Sequence, residues 1–111
     1  MDTIFGKIIR KEIPADVIFE SETVLAFRDV NPQAPVHVLI IPKVATANLD
    51  QTNDNTILGE LLGVARQLAK ELNISESGYR IVINNGASAG QSVFHLHLHL
   101  LGGRDFSWPP G

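Results

Sequence analysis

The stretch His95-Leu96-His97-Leu98-His99-Leu100-Leu101 decides the fold and contains three of the four histidines in the chain. Its strict alternation predicts a β-strand over residues 95–101, because successive side chains of a strand point to opposite faces. The three histidines then share one face, roughly 6.5–7 Å from one to the next. The leucines share the other face and can pack into a core. Three imidazoles in a row indicate a face that carries out chemistry.

Three interpretations of this histidine face are open. It could be a solvated polar face at the edge of a sheet. It could bind a metal ion, since a His-x-His pair on a strand can present two ring nitrogens to one zinc. No thiolate or carboxylate sits beside the motif to complete such a site. It could also be catalytic, with one imidazole as nucleophile and its neighbours as proton carriers.

The composition predicts a single domain, since the chain has 111 residues and 44% of them are hydrophobic. The net charge is −3 and no run of Lys or Arg stands out, so nucleic acid is not an expected partner. The chain has no cysteine, which excludes disulfides and thiolate metal sites. No apolar stretch approaches the ~18 residues of a membrane span, and the N-terminus lacks the apolar segment of a signal peptide. We therefore expect a soluble cytoplasmic protein that does not bind membranes.

The apolar pattern predicts a short helix within residues 3–11 and a long helix that ends at Asn73. The long helix carries a broad apolar stripe from Ile57 to Leu72. Candidate N-caps are Thr3 or Asp2 for the short helix, and Asn53 or Asp54 for the long one.

Five runs of apolar residues predict strands, at residues 17–19, 24–27, 36–41, 79–84 and 95–101. The run 36–41 is apolar on both faces apart from His37, which is typical of a central buried strand. The elements do not alternate as βαβ units. The sequence therefore predicts an α+β fold with an antiparallel sheet.

The loop over residues 85–92 is rich in small residues and leads directly into the histidine motif. Gly86 and Gly90 leave the backbone uncovered, so amide N–H groups could face an anion. Gln91 and Ser92 add side-chain donors just before the first histidine. The loop by itself is equally well an ordinary glycine-rich connection, and it is not a Walker loop. Beside the histidines, an oxyanion such as a phosphate is the expected ligand.

Asp29 ends a predicted strand and enters a turn that contains two prolines. It is either a turn-forming aspartate or a carboxylate that accepts hydrogen bonds from ribose hydroxyls. Four apolar residues are most simply core, although some could line an apolar slot for a base: Phe5, Ile8, Phe27 and Val30.

These residues together resemble the histidine-triad (HIT) family of nucleotide hydrolases and transferases. That family is marked by His-φ-His-φ-His-φ-φ, with φ apolar, and residues 95–101 match it at every position. Residues 2–9, 27–37, 90–94 and 108–111 are similar to the Hint branch, the purine nucleoside phosphoramidases. The resemblance covers nearly the whole chain. Val44-Ala45 departs from the pattern, because the family usually has a basic or histidine residue there.

The resemblance implies a single HIT domain over residues 1–111, built from a five-stranded antiparallel sheet and two helices. It also implies a homodimer in which the sheet continues across the interface and the tail with Trp108 approaches the partner's active site. The implied activity is cleavage of the P–N bond of purine nucleoside 5′-phosphoramidates, such as adenosine 5′-monophosphoramidate, without a metal or other cofactor. An alternative is a nucleotide-binding scaffold or regulatory protein with vestigial turnover.

The resemblance further implies roles for individual residues. His97 would attack the α-phosphorus and form a nucleotidyl-histidine intermediate, while His99 would support charge on the phosphoryl oxygens. His95 and His37 would form a hydrogen-bonded relay behind the nucleophile, and Ser92 would serve the leaving amine or a phosphate oxygen. Further nucleotide contacts are expected from Asn84, Gly90 and Gln91 near the phosphate, Asp29 at the ribose, and Ile4, Phe5, Ile8, Phe27 and Val30 around the purine.

Overall fold

The computed structural model describes residues 2–111 and contains one five-stranded antiparallel sheet. Met1, where the predicted domain begins, lies outside the described residues. The strands across the sheet follow the order β1-β2-β3-β5-β4, which places β3 at the centre as predicted. Their bounds are β1 Val17–Glu20, β2 Val24–Arg28, β3 Val36–Pro42, β4 Tyr79–Val82 and β5 Leu98–Gly102.

Two α-helices accompany the sheet, α1 over Ile4–Ile9 and α2 over Asn55–Glu71. The Thr3 hydroxyl caps α1 by accepting the Gly6 N–H, and the Asp54 carboxylate caps α2 by accepting the first free N–H groups. Asn73 follows α2 with a left-handed backbone, φ 61°, which ends the helix. The predicted α+β fold with two helices and a five-stranded antiparallel sheet is confirmed.

The sheet has an apolar core on each face. The larger core packs the buried stripe of α2 against alternate residues of the central strands, including Val38, Leu98 and Leu100. The smaller core, on the opposite face, contains Phe5 of α1 with Phe27 and other residues of β2 and β3. Helix α1 therefore lies on the sheet face that also carries the histidines, and α2 lies behind it.

The histidine motif enters the sheet later than predicted. Strand β5 begins at Leu98, and Leu96 N–H donates to the Thr46 carbonyl in a loop rather than to a neighbouring strand. The predicted alternation nevertheless holds, since Leu96, Leu98 and Leu100 are all buried in the larger core. Strand β4 also ends early, at Val82 instead of residue 84.

Among residues 2–111, neither helix is long and apolar enough to cross a membrane.

Candidate active site

Two strands bring the histidines together from distant parts of the sequence. His37 lies on β3 and His99 on the adjacent β5, and the antiparallel register places Leu39 opposite His99. His37 Nε2 is 2.9 Å from His99 Nδ1. The ring of His97 lies 5.0 Å from that of His99 and 5.1 Å from that of Phe5, measured between centroids. The four-histidine cluster is therefore built between the sheet face and α1.

A backbone amide fixes the proton positions of His37 and His99. Gln33 N–H donates to His37 Nδ1 at 3.0 Å, so this nitrogen carries a lone pair. A neutral His37 then carries its proton on Nε2 and donates it to His99 Nδ1. His99, accepting at Nδ1, carries its own proton on Nε2. The chain from Gln33 through His37 therefore makes His99 Nε2 a hydrogen-bond donor.

The tautomer of His97 is fixed in the opposite sense. Its Nδ1 lies 2.7 Å from the main-chain carbonyl oxygen of His95, which can only accept, so Nδ1 holds the proton. His97 Nε2 consequently keeps a free lone pair, as a nucleophile requires. The His95 ring turns elsewhere, and its Nε2 donates to the Pro42 carbonyl oxygen at 2.8 Å.

These contacts correct the predicted relay. We expected the His95 and His37 rings to stand behind the nucleophile, but His95 serves His97 through its main-chain carbonyl and not through its imidazole. His37 contacts His99 instead of His97. Residues 95–97 precede β5, so the His95 carbonyl is not needed for strand pairing and can accept the hydrogen bond from His97 Nδ1.

Burial keeps all four imidazoles neutral near pH 7. It lowers the pKa of His37, His95 and His97 below the usual 6.5, because an imidazolium loses hydration in the partly closed site. The pKa of His99 falls to about 4, since burial acts together with the neighbouring His97 and His37. A neutral imidazole at His97 is the form that can attack an electrophile.

A cleft of about 320 Å³, here called the first cleft, opens in front of His97 and His99. The structure gathers there nine of the residues that the sequence assigned to nucleotide binding. They are Ile4, Phe5, Ile8, Phe27, Asp29, Val30, Ser92, His97 and His99.

The apolar residues of the first cleft divide into a wall and a rim. Phe5 and Phe27 are buried and belong to the smaller core, so they form the wall while serving as core. Val30 is 97% exposed and Ile4 is 53% exposed. The interpretation of Val30 as a core residue is therefore wrong, and this side chain stands at the rim of the cleft.

Asp29 combines the two roles between which the sequence left a choice. Its Oδ1 accepts the Asn31 N–H at 2.8 Å, which stabilises the turn after β2. Its Oδ2 lies 3.4 Å from His37 Nε2, and the side chain lines the first cleft. A turn-forming aspartate therefore also presents a carboxylate to the site.

The glycine-rich loop is held together by its own hydrogen bonds. Gly86 N–H donates to Gln91 Oε1, and Gly90 N–H donates to the Ala87 carbonyl oxygen. Gly90 takes a left-handed φ of 97°, which favours glycine at this position. The N–H groups of Gly86 and Gly90 are therefore already used and cannot also bind an anion, while an anion contact from other amides of this loop stays a prediction.

Gln91 is a structural residue, which corrects its predicted contact with phosphate. Its side chain is 4% exposed, and its Nε2 donates to the carbonyl oxygens of Ala47 and Val93. The buried amide thus ties the loop to the segment after β3. Ser92, the next residue, is left exposed at the first cleft, where its hydroxyl can reach a ligand.

Asn84 lies in a second cleft, of about 240 Å³, which also touches His37 and His99. His99 lines both clefts and therefore stands between them. The sequence analysis did not single out the two arginines and the phenylalanine that line the second cleft, Arg80, Arg104 and Phe106. Nothing local in the sequence marks them, since Arg80 and Phe106 belong to separate segments that meet only in the fold.

The cluster of Asp29, His37 and His99 has the donor atoms of a metal site, all within 4.8 Å of one another. The protonation pattern does not fit a metal ion. A metal at His37 Nε2 would require a proton on Nδ1, yet Nδ1 faces the N–H of Gln33 and must accept. These residues therefore suit a proton relay better than a metal centre.

Comparisons with known proteins agree with this fold. The HIT domain family matches residues 10–106. A "14 kDa zinc-binding protein" of Zea mays is 58% identical over 98% of this chain and 88% of its own length. The "Adenylylsulfatase HINT1" of Arabidopsis thaliana is 53% identical over 98% of this chain and 76% of its own length. The crystal structure of a HIT family hydrolase from Legionella pneumophila is 50% identical, with a TM-score of 0.96, and covers 99% of this chain and 100% of that one.

The chain therefore has the same fold as that hydrolase structure. The chain belongs to the HIT family.

Proposed function

We propose that this protein hydrolyses the P–N bond of purine nucleoside 5′-phosphoramidates, as the Hint branch of its family implies. The single observation that carries the proposal is the opposed tautomers of two neighbouring histidines. His97 offers a lone pair at Nε2 and His99 offers an N–H at Nε2. A nucleophile beside a donor suits attack on a phosphoryl group, where negative charge develops on oxygen.

The relatives support a hydrolase of nucleotides. The similar Legionella structure is described as a HIT family hydrolase, and the Arabidopsis relative is called an adenylylsulfatase. Both descriptions are consistent with hydrolysis at an adenylyl group or a related nucleotide. The phosphoramidate as substrate rests on the resemblance to the Hint branch and on the chemistry below.

The proposed reaction has two steps. His97 Nε2 attacks the α-phosphorus, and the P–N bond breaks as the amine leaves with a proton that the Ser92 hydroxyl donates and regains from solvent water. The nucleotidyl-His97 intermediate carries positive charge on its ring, which the His95 carbonyl oxygen stabilises at Nδ1–H. Water then attacks phosphorus, the bond to His97 Nε2 breaks, and the proton of that water passes to solvent, so the products are a nucleoside monophosphate and an amine.

The rest of the first cleft would hold the nucleoside. Phe5 and Phe27 offer apolar surface to a purine, with Ile4, Ile8 and Val30 around it. Asp29 would accept hydrogen bonds from the ribose hydroxyls. His99 Nε2–H would donate to a phosphoryl oxygen during the reaction.

Steady-state hydrolysis of adenosine 5′-monophosphoramidate tests the proposal. His97→Ala should lower kcat by roughly 10⁴-fold, as for other lost nucleophiles, and wild-type enzyme quenched during turnover should carry a nucleotidyl adduct on His97. His95→Gln is the matched control, since a glutamine keeps a donor for the Pro42 carbonyl and leaves the main-chain carbonyl in place. It should cost less than about tenfold. A His97→Ala enzyme with normal turnover would refute the assignment.

The same assay separates the competing functions. Nucleotide binding without release of amine would favour a scaffold or regulatory protein with vestigial turnover. Loss of activity on exhaustive chelation would favour a metal-dependent hydrolase. We expect activity to survive chelation, because the protonation pattern of His37 leaves no lone pair at Nε2 for a metal.

We also propose a homodimer. Strand β4 lies at one edge of the sheet, so its outer side can pair with a second copy. On α2, Gly59, Leu62 and Gly63 share one face, and Leu62 is 48% exposed. A Cβ built at either glycine meets nothing within 4 Å, so this face has room for another helix.

A further inference from the structure

The second cleft has a charged wall that the proposed mechanism does not use. Its lining includes His37, Asn84 and His99 together with Arg80, Arg104 and Phe106. Both clefts open on the same face of the sheet and meet at His99. A phosphoryl group held at His99 would therefore border both the nucleoside cleft and the cleft that contains the two arginines.

The two arginines are held in fixed positions around one aromatic ring. Arg80 Cζ lies 5.1 Å and Arg104 Cζ 4.3 Å from the centroid of the Phe106 ring. Arg80 Nη2 donates to the Ser107 carbonyl oxygen at 2.9 Å, and Arg104 Nε donates to the Gln33 carbonyl oxygen at 2.9 Å. Stacking and backbone contacts limit the motion of both guanidiniums, so less conformational entropy is lost when they bind a ligand.

Neither guanidinium has a negative partner among residues 2–111. Arg10 and Arg28 contact carboxylates, at 2.7 Å and 3.5 Å, but no such pair includes Arg80 or Arg104. Each keeps several N–H groups beyond those that donate to carbonyl oxygens. In a chain of net charge −3, this is a local positive site beside the reacting histidines.

We propose that the second cleft receives the leaving group, and that Arg80 and Arg104 recognise a carboxylate or sulfate anion on it. Planar guanidiniums match the oxygen pairs of such anions, and their hydrogen bonds are charge-assisted. This inference rests on the proposed function, because it assigns the part of the substrate that departs when His97 attacks. An amino-acid phosphoramidate or a mixed sulfate anhydride would then be preferred over a substrate with a neutral leaving group.

Matched substrates test this specificity. The adenosine 5′-phosphoramidates of alanine and of alaninamide differ only in that a carboxylate becomes a neutral amide. Wild-type enzyme should favour the alanine compound in kcat/KM. Arg80→Gln and Arg104→Gln, singly and together, should reduce that preference by about tenfold, a usual effect of losing a charged partner. The rate with alaninamide should change little.

Two further variants control for charge and for folding. Lys7→Gln removes the same charge from an exposed position on α1 that lines neither cleft, and it should leave the preference unchanged. Arg80→Lys keeps the charge and should keep part of the preference. Adenylyl sulfate, assayed in parallel, distinguishes the two anions: loss with both substrates indicates a general anion site, and loss with the alanine compound alone indicates a carboxylate site.

Binding measured by calorimetry makes the test independent of turnover. In a His97→Ala background, the alanine compound should bind about tenfold tighter than the alaninamide compound, and Arg80→Gln should remove the difference. Equal affinities, or a difference that survives both arginine substitutions, would overturn the inference. A wild-type enzyme that binds both compounds but hydrolyses neither would instead refute the proposed function, while the affinities would still decide the role of the arginines.

Discussion

His37 Nε2 and His99 Nδ1 are joined by a 2.9 Å hydrogen bond although 62 residues separate them in sequence. Because Gln33 N–H occupies the other nitrogen of His37, the bond has one direction, from His37 to His99. This contact fixes the proton of His99 on Nε2, where the proposed mechanism needs a donor to the phosphoryl oxygen. His97, the proposed nucleophile, has a carbonyl partner of its own.

The first prediction concerns this contact. His37→Phe removes the donor to His99 Nδ1, so His99 is no longer held with its proton on Nε2. We expect kcat to fall by roughly 100-fold with little change in KM, at the lower end of what a positioned acid–base group contributes. His37→Gln retains an amide donor and should recover part of the loss. Equal losses in both variants would indicate that residue 37 only fills space.

The second prediction concerns stability against pH. Burial lowers the pKa of all four histidines from 6.5, to about 4 for His99, so the unfolded chain binds more protons than the folded one in this window. The stabilisation is fully present above pH 6.5 and is lost as the pH falls toward the lowered values. Urea midpoints should therefore decrease from pH 7.5 to pH 5, above the range where most carboxylates titrate. A midpoint that stays constant would contradict the neutral, buried cluster.

The same shift sets the acid side of the activity profile. His97 attacks only as a neutral imidazole, and its pKa lies below 6.5. The midpoint of the acid limb of kcat/KM should therefore lie below pH 6.5. A pH profile of kcat/KM with a substrate that has a neutral leaving group would measure it.

The third prediction separates the two roles of Asp29. Asp29→Ala should slow ribonucleotide substrates more than their 2′,3′-dideoxy analogues, because only the ribonucleotides have hydroxyls that can hydrogen-bond to the carboxylate. Asp29→Asn is the matched variant, since its side-chain oxygen can still accept the Asn31 N–H that stabilises the turn. If both sugars suffer equally from Asp29→Ala, the residue acts only through the turn.

The fourth prediction concerns assembly. Sedimentation at micromolar concentration should give twice the 12.1 kDa mass of the chain. Leu62→Glu places a charge on the exposed face of α2 and should shift the equilibrium toward the monomer. Glu60→Gln, on the same helix, serves as a control that adds no charge. A wild-type protein found only at 12.1 kDa would refute the dimer.

The fifth prediction concerns the tail. Deletion of residues 107–111 removes the Ser107 carbonyl that accepts from Arg80 Nη2, yet it removes no residue of either apolar core. We expect the fold to remain and the preference among leaving amines to change more than the preference among bases. Kinetics on two bases and several amines would measure both. An unchanged amine profile would show that the tail has no part in the site.

The sequence by itself determined the elements and the apolar half of the site. Alternation at residues 95–101 assigned Leu96, Leu98 and Leu100 to the core, and the apolar pattern placed both helices and all five strands to within a few residues. These properties depend on neighbours close in sequence, through the periods of helix and strand. The residues assigned to the nucleoside also line one cleft. They were assigned by resemblance to a family, and members of a family share the fold that brings such residues together.

Only the tertiary structure decided which polar groups remain available for chemistry. The sequence predicted that Gln91 contacts phosphate, but its Nε2 donates to the carbonyl oxygens of Ala47 and Val93. We expected His37 to contact His97, but its Nε2–H donates to His99 Nδ1. Arg80 and Arg104 come from different segments and both contact the Phe106 ring. A donor that is already hydrogen-bonded within the protein is not available to a ligand. Several of the partners, such as Ala47 for Gln91 and His99 for His37, are distant in sequence. The period of a strand shows which face a histidine occupies, but its tautomer depends on a backbone group that folding brings to it.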